Sequence, residues 1–467
     1  MSIPQGKMWL GTLMRSQHHL SINYGIDDLR FETAYWYKNI DLFALEKRYG
    51  QTFMQKIYFH IMVLEASKLV SLHPKQFDLG KYAHFHTPQF EQLWRTLIYK
   101  IWGQWRYQQN KPDYQGPVFC SQAHEQRAKA ISLPSATTEV LAFCGGGKDS
   151  LVGMKLLERA DIPFASFAYS SSIYGQSEPQ HQLINKLVKC SLATEQHQLR
   201  IYDSFVDAPV RDSYPEIKEI LAAETPTSLF AALPILLQNN YRYMVLAHER
   251  SANTGNLIWS DTGEDINHQW GKSYQAEQLL NHYFQTEFIS NCAYFSILQP
   301  IYDTTIFNLL RQDENMITAT HSCNIKKPWC CECPKCAYVW LNYMAYLDTK
   351  KVQTMFPDNL FDIEANQPWF YQMLGLGEHT PFECIGEVEE TRLAFELCRR
   401  KGITGKAMTL YCEHFPQLDI RSILSRYLNV DMSQSAIPNR FSQQIQSQLE
   451  MAIENGKQYI KNILRID

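Results

Sequence analysis

From residue 140 onward, short apolar runs alternate with stretches of helical spacing. Residues 140–143, 164–169, 199–202 and 243–247 read as strands, and 150–157, 183–192 and 228–237 read as helices. Strands separated by helices predict a parallel sheet with right-handed crossovers, so the expected core is a doubly wound parallel α/β domain. From about residue 29 to 109 the pattern differs: Phe53, Ile57, Ile61, Leu64 and Leu72 recur at helical spacing, which predicts a helical N-terminal region. Past Cys336 the chain again reads as helical, at 338–347, 390–400 and 441–464. A polar link at 110–135, broken by Pro112, Gly116, Pro117 and Pro134, divides the first two regions. The expected organisation is therefore 1–135, helical region and link; 136–320, α/β domain; and 321–467, a cysteine cluster followed by helices.

A chain of 467 residues is long for one core, and with 45% hydrophobic and 20% charged residues it should be packed throughout. The net charge of -4 argues against a broad nucleic-acid surface and points to small-molecule substrates. The most apolar windows, 57–72 and 229–237, are short and interrupted by His60, Glu65 and Lys68 or by Pro234, so no membrane span is expected. The first twenty residues hold no continuous apolar stretch of signal-peptide type. Of 12 cysteines, five fall between Cys323 and Cys336, which reads as a metal site in a reducing, cytoplasmic setting rather than a disulfide framework.

Gly145, Gly146, Gly147, Lys148, Asp149 and Ser150 directly follow the first strand of the α/β region and open its first helix. Glycines there allow a tight turn and a close approach of backbone N–H groups to phosphate oxygens, and the helix N-terminus favours an anion. Asp149 is placed either to help hold Mg²⁺ or to cap the helix. The Walker spacing is absent. The segment resembles the PP-loop, S-G-G-x-D-S, with Gly145 where a serine usually stands. That resemblance implies ATP as the cosubstrate, split into AMP and pyrophosphate to activate a carboxylate.

Cys323, Cys330, Cys333 and Cys336 are spaced C-x6-C-x2-C-x2-C, enough thiolates to close a tetrahedral shell around one structural Zn²⁺. Cys331 is read as a bystander. A PP-loop followed by such a cluster is similar to 7-cyano-7-deazaguanine synthase, a family much shorter than this chain. That likeness leaves an amide-forming PP-loop ligase as the alternative reading.

Further stretches favour another family. Residues 248–253 (His-Glu-Arg-Ser-Ala-Asn), 263–272 (Gly-Glu-Asp-Ile-Asn-His-Gln-Trp-Gly-Lys), 329–336 and 381–387 (Pro-Phe-Glu-Cys-Ile-Gly-Glu), together with 145–150, resemble the UDP-N-acetyl-α-D-muramoyl-L-alanyl-L-glutamate epimerase family (MurL) in order and spacing. The resemblance covers roughly residues 140–392. It implies ATP-dependent inversion of a terminal L-glutamate in a cell-wall precursor. Glu249 and Arg250 follow a strand and are expected at the carboxyl edge of the sheet, with Arg250 holding a substrate carboxylate or phosphate, unless the two simply pair with each other. His268 and Lys272, four apart, are candidate acid and base groups on opposite faces of the α-carbon, with a buried structural histidine as the other reading. Glu383 and Cys384 have either a role near the adenylate or one in packing.

Overall fold

The computed structural model describes residues 6–125, 129–170, 176–217 and 219–466, so residues 126–128 of the expected link lie outside the described part. The strands are β1 (Lys7–Arg15), β2 (His19–Ile26), β3 (Leu29–Tyr37), β4 (Gln76–Asp78), β5 (Val118–Phe119) and β6 (Val140–Phe143). They continue as β7 (Phe164–Ser170), β8 (Gln196–Asp203), β9 (Tyr243–Glu249), β10 (Leu257–Trp259), β11 (Glu264–Ile266) and β12 (Ala293–Leu298). Ten of them form one sheet in the order β12-β9-β6-β7-β8-β3-β2-β1-β4-β5, and β10 and β11 form a separate hairpin.

The half from β12 to β8 is wholly parallel. Strands β6, β7 and β12 are near-continuous apolar runs, as expected when helices cover both faces of a sheet, whereas β8, at the seam with β3, carries several polar residues. The chain moves outward from β6 to β7 and β8, then returns to lay β9 and β12 on the other side of β6. The direction of winding therefore reverses between β6 and β9, and the carboxyl ends of these two strands open the crevice where such sheets bind ligands.

The N-terminal region differs from its expected helical character. Helices do occupy Leu42–Tyr49, Gln51–Ala66, Pro88–Ile101 and Gly103–Gln108, but residues 7–37 form three antiparallel strands. In β3, Phe31, Thr33, Tyr35 and Tyr37 are buried while Arg30, Glu32 and Trp36 face out. This is a period of two that the stronger helical spacing from Phe53 onward obscures. Strand β3 pairs antiparallel with β8, so the sheet runs on across the link. Strand β12 also went unanticipated, and the helix expected at 183–192 runs instead over Ser177–Val188. The C-terminal helices Pro334–Tyr346, Val388–Arg400 and Asn439–Leu464 lie where the pattern places them. Among the described residues no helix is long and apolar enough to cross a membrane.

The polar interruptions of the 57–72 window have a structural reason. Lys68 is buried between Glu65, at 2.5 Å, and Asp203, while Tyr35 donates to Glu65 at 2.5 Å and Tyr24 to Asp203 at 3.1 Å. Burial opposes the lysine charge, but the two carboxylates hold its pKa above the ordinary value. The cluster joins a helix to the seam between β3 and β8. Removing the cation would leave buried carboxylates uncompensated. Lys68→Ala is thus expected to destabilise the fold by about 3–5 kcal/mol, which urea unfolding would show; a loss under about 1 kcal/mol would refute the account.

Candidate functional site

A cavity of about 530 Å³ opens at the carboxyl ends of β6 and β9. Its first wall is the glycine loop. Gly147 is the N-cap of the helix Lys148–Arg159, and no side chain caps that end, so the first backbone N–H groups remain available to an anion. The Gly145 N–H donates to Ser150 Oγ at 3.1 Å, which closes the loop on itself. Gly146 has φ +88°, and a Cβ there would stand 1.9 Å from the His321 ring. The His321 N–H donates to the Gly146 carbonyl at 2.8 Å. Ser322 lies against Gly147, where a Cβ would sit 3.0 Å from its hydroxyl. The cradle therefore has two layers, and the second comes from a segment nearly two hundred residues downstream.

Beneath the loop is a set of buried charges. Lys148 lies behind the cavity wall, bonded to Asp149 at 2.5 Å and to Asp303 at 2.6 Å. Burial works against its charge, but Asp149, Asp303 and Glu249 keep it firmly protonated. Glu249, at the end of β9, faces the cavity; burial and then the charges of Asp149 and Asp303 push its carboxyl up to about 7, against the pull of Lys148 and Lys272. Asp149 does not cap the helix; its carboxylate pairs with Lys148 instead. Three carboxylates lie around Lys148, and Lys272 acts on Glu249 as well.

The other wall gathers His268, Lys272, Glu383 and Cys384. Lys272 Nζ is 2.7 Å from Cys384 Sγ, and its pKa is raised by Cys384 and Glu249 despite burial. A ring nitrogen of His268, a carboxylate oxygen of Glu383 and Cys384 Sγ lie within 4.8 Å of one another. His268 Nδ1 meets Gln104 Oε1 at 2.5 Å, and Gln104 Nε2 donates to Glu219 at 2.8 Å. Burial keeps the His268 pKa below its ordinary value. The 381–386 segment is docked by Asn324, which donates to Glu383 at 3.3 Å, by Lys335, which donates to the Cys384 carbonyl, and by Gln269, which donates to the Ile385 carbonyl at 3.3 Å.

Arg250 stands apart from these groups. Its guanidinium pairs with Asp431 and lies 5.2 Å from the centre of the Tyr302 ring, and it does not line the cavity. It does not pair with Glu249 either. His268 and Lys272 are not spread over two walls; both approach one thiol. Sequence reasoning missed Gln104, Asp303 and His321. The first two stand in no motif, and His321 could have been noticed only by its place just before the first cysteine of the cluster.

The cysteine cluster meets the geometry of a metal centre. The sulfurs of Cys323 and Cys333, and of Cys330 and Cys336, are each 3.8 Å apart, and all four lie within 4.8 Å of one another. A tetrahedral Zn²⁺ with sulfurs at about 2.3 Å requires edges of about 3.8 Å. The backbone N–H groups of Ile325 and Lys326 point to Cys323 Sγ at 3.4 and 3.3 Å, and that of Cys336 to Cys333 Sγ at 3.4 Å, the donors that stabilise thiolate ligands. Cys331, at φ +67°, is outside the group.

Sheet and cavity together define a mixed α/β protein with a cavity at the turning point of a largely parallel sheet and a four-cysteine group of metal-site geometry beside it. Comparison with known proteins is consistent with the MurL family: the profile for the MurL N-terminal domain matches residues 227–297, and that for the MurL C-terminal domain matches residues 317–411. The UDP-N-acetyl-alpha-D-muramoyl-L-alanyl-L-glutamate epimerase of a Micromonospora species is 31% identical over 267 residues, 55% of this chain and 56% of the relative. The proteins of that name from Salinispora tropica and Xanthomonas oryzae pv. oryzae are each 29% identical, over 264 and 287 residues, covering 55% and 58% of the relatives. The chain thus spans little more than half the length of the curated relatives it matches. No solved structure matches.

Proposed function

We propose that the protein is an ATP-dependent epimerase. It inverts the terminal L-glutamate of UDP-N-acetylmuramoyl-L-alanyl-L-glutamate to D-glutamate through an acyl-adenylate, with release of AMP and pyrophosphate, in the cytoplasm. The observation that carries this reading is that an anion cradle and a thiol–lysine–histidine group share one cavity, in a chain whose relatives bear that epimerase name. Gly145 to Gly147, Ser150 and the uncapped helix N-terminus would hold the phosphates, and Asp149 with Glu249 would hold Mg²⁺. The four cysteines would hold a structural Zn²⁺.

The chemistry is coherent. A free carboxylate resists loss of the neighbouring α-proton because charge would accumulate on charge; once it is masked as an anhydride, the α-proton becomes acidic enough for a side chain to take. Lys272, whose pKa is raised by Cys384 and Glu249 despite burial, would stabilise the negative charge that develops on the carbonyl oxygen. Hydrolysis then makes the inversion directional.

The test is incubation with ATP, Mg²⁺ and the L-glutamyl precursor in deuterated water. AMP, pyrophosphate and a D-glutamyl product labelled at the α-carbon are expected. ADP with phosphate would refute the cleavage, and an amide product with an unlabelled L-centre would assign the chain to the ligases.

A further inference from the structure

We infer that Cys384 is the catalytic group that removes the α-proton, working as a thiolate beside Lys272, with His268 as its proton partner. The inference rests on the epimerase reading and assigns a residue to its central step. A cysteine alone would carry nothing. Here the thiol lines the cavity, a lysine ammonium lies 2.7 Å from its sulfur, and a histidine ring stands within 4.8 Å. A lysine ammonium against the sulfur is one of the settings in which catalytic cysteines occur.

The tautomer of His268 follows from its neighbours. Gln104 gives its amide N–H to the Glu219 carboxylate, which can only accept, so Gln104 Oε1 is the atom that faces the ring. His268 Nδ1 therefore donates, and Nε2 is left as the acceptor. Cysteine, a histidine and an amide orienting that histidine recur wherever a thiol is activated by a base. Gln104 is a positioning residue in this arrangement. The same cluster could be considered for a metal, but the Lys272 ammonium already sits on the sulfur and opposes a cation there.

Distance also assigns the roles. Two atoms that grip an α-carbon from opposite faces, each about 3–3.5 Å from it, stand about 6–7 Å apart. His268, within 4.8 Å of Cys384 Sγ, is too close to oppose it and belongs on the same side. The step balances as a proton transfer. The Cα–H bond breaks, the S–H bond forms, and the electron pair moves onto the carbonyl oxygen of the activated carboxyl group. An acid in exchange with water returns a proton to the other face, and the Cys384 proton leaves to water through His268. Other charged groups act through the partners of the sulfur: Glu383, Glu219 and Glu224 on His268, and Glu249 and Glu224 on Lys272, with Lys335 on the Cys384 carbonyl.

Two measurements test this. In Cys384→Ala and Cys384→Ser, α-deuteration and inversion should fall about 10²–10⁴-fold. On the free wild-type protein, iodoacetamide at pH 7, followed by peptide mass spectrometry, should label Cys384 faster than the exposed Cys120 and Cys412, and Lys272→Met should abolish that advantage. Inversion at the wild-type rate by Cys384→Ala, or labelling of Cys384 no faster than the exposed cysteines, overturns the proposal. A wild-type protein that releases no pyrophosphate would overturn the epimerase reading instead, and the labelling result, which needs no substrate, tells the two failures apart.

Discussion

Cys333→Ser is expected to lose the bound metal and to lower stability by several kcal/mol. Tetrahedral zinc sites formed by thiolates contribute about 10–16 kcal/mol of binding energy in small domains, and that energy is folding energy because the site does not exist in the unfolded chain. Cys333 also acts on the backbone, because its sulfur accepts from the Cys336 N–H and so starts the helix Pro334–Tyr346, whose residues are almost all buried. Serine could still cap that helix but is a poor ligand for zinc. The loss should therefore be read mainly in metal content and less in local helix formation. Wild-type protein purified without chelator should carry one zinc per chain, and chelation should lower the unfolding temperature. A Cys333→Ser variant with full metal and unchanged unfolding would contradict the assignment. The effect should also reach the glycine loop, since the segment entering the cluster carries His321 across Gly146.

Gly146→Ala should be the most damaging single methyl group in the molecule's cradle, whereas Gly145→Ala, one residue earlier, should barely affect folding. The difference is geometric. At Gly146 the backbone has φ +88°, a conformation that costs an L-residue about 1–2 kcal/mol, and the new Cβ would overlap the buried His321 ring, adding about 1–3 kcal/mol of overpacking. At Gly145 nothing lies within 4 Å of the added carbon. Denaturant unfolding of the two variants should therefore separate them by about 2–5 kcal/mol, and ATP binding measured by calorimetry should be lost in Gly146→Ala. Equal stability of the two would show that His321 does not hold the loop as described.

Strands β6 and β7 were legible because each is an apolar run followed by a helix, and tertiary context reinforces that local signal. The antiparallel half was not. In β3 the alternation of Phe31, Thr33, Tyr35 and Tyr37 carries threonine and tyrosine on the inner face, so it does not stand out as apolar; Tyr35 is inside because it bonds Glu65. The site was legible where chemistry is contiguous in sequence, as in Gly145 to Ser150 and the cysteine cluster. It was illegible where function is assembled in space. Nothing near Gln104 hints that it orients His268, and nothing near Asp303 hints that it shares Lys148 with Asp149. Arg250 is a motif position at the end of a strand whose side chain pairs with Asp431 and does not line the cavity.

The two-layered cradle also bears on how the protein is made. The glycine loop leaves the ribosome long before His321 and Ser322, and Cys384 follows later still. An unfinished or truncated chain would carry the loop without its second layer, without the metal staple and without the thiol. Fragments ending before His321 should therefore leave the glycine loop open on one side, and only a chain that extends past Cys384 would close the cavity.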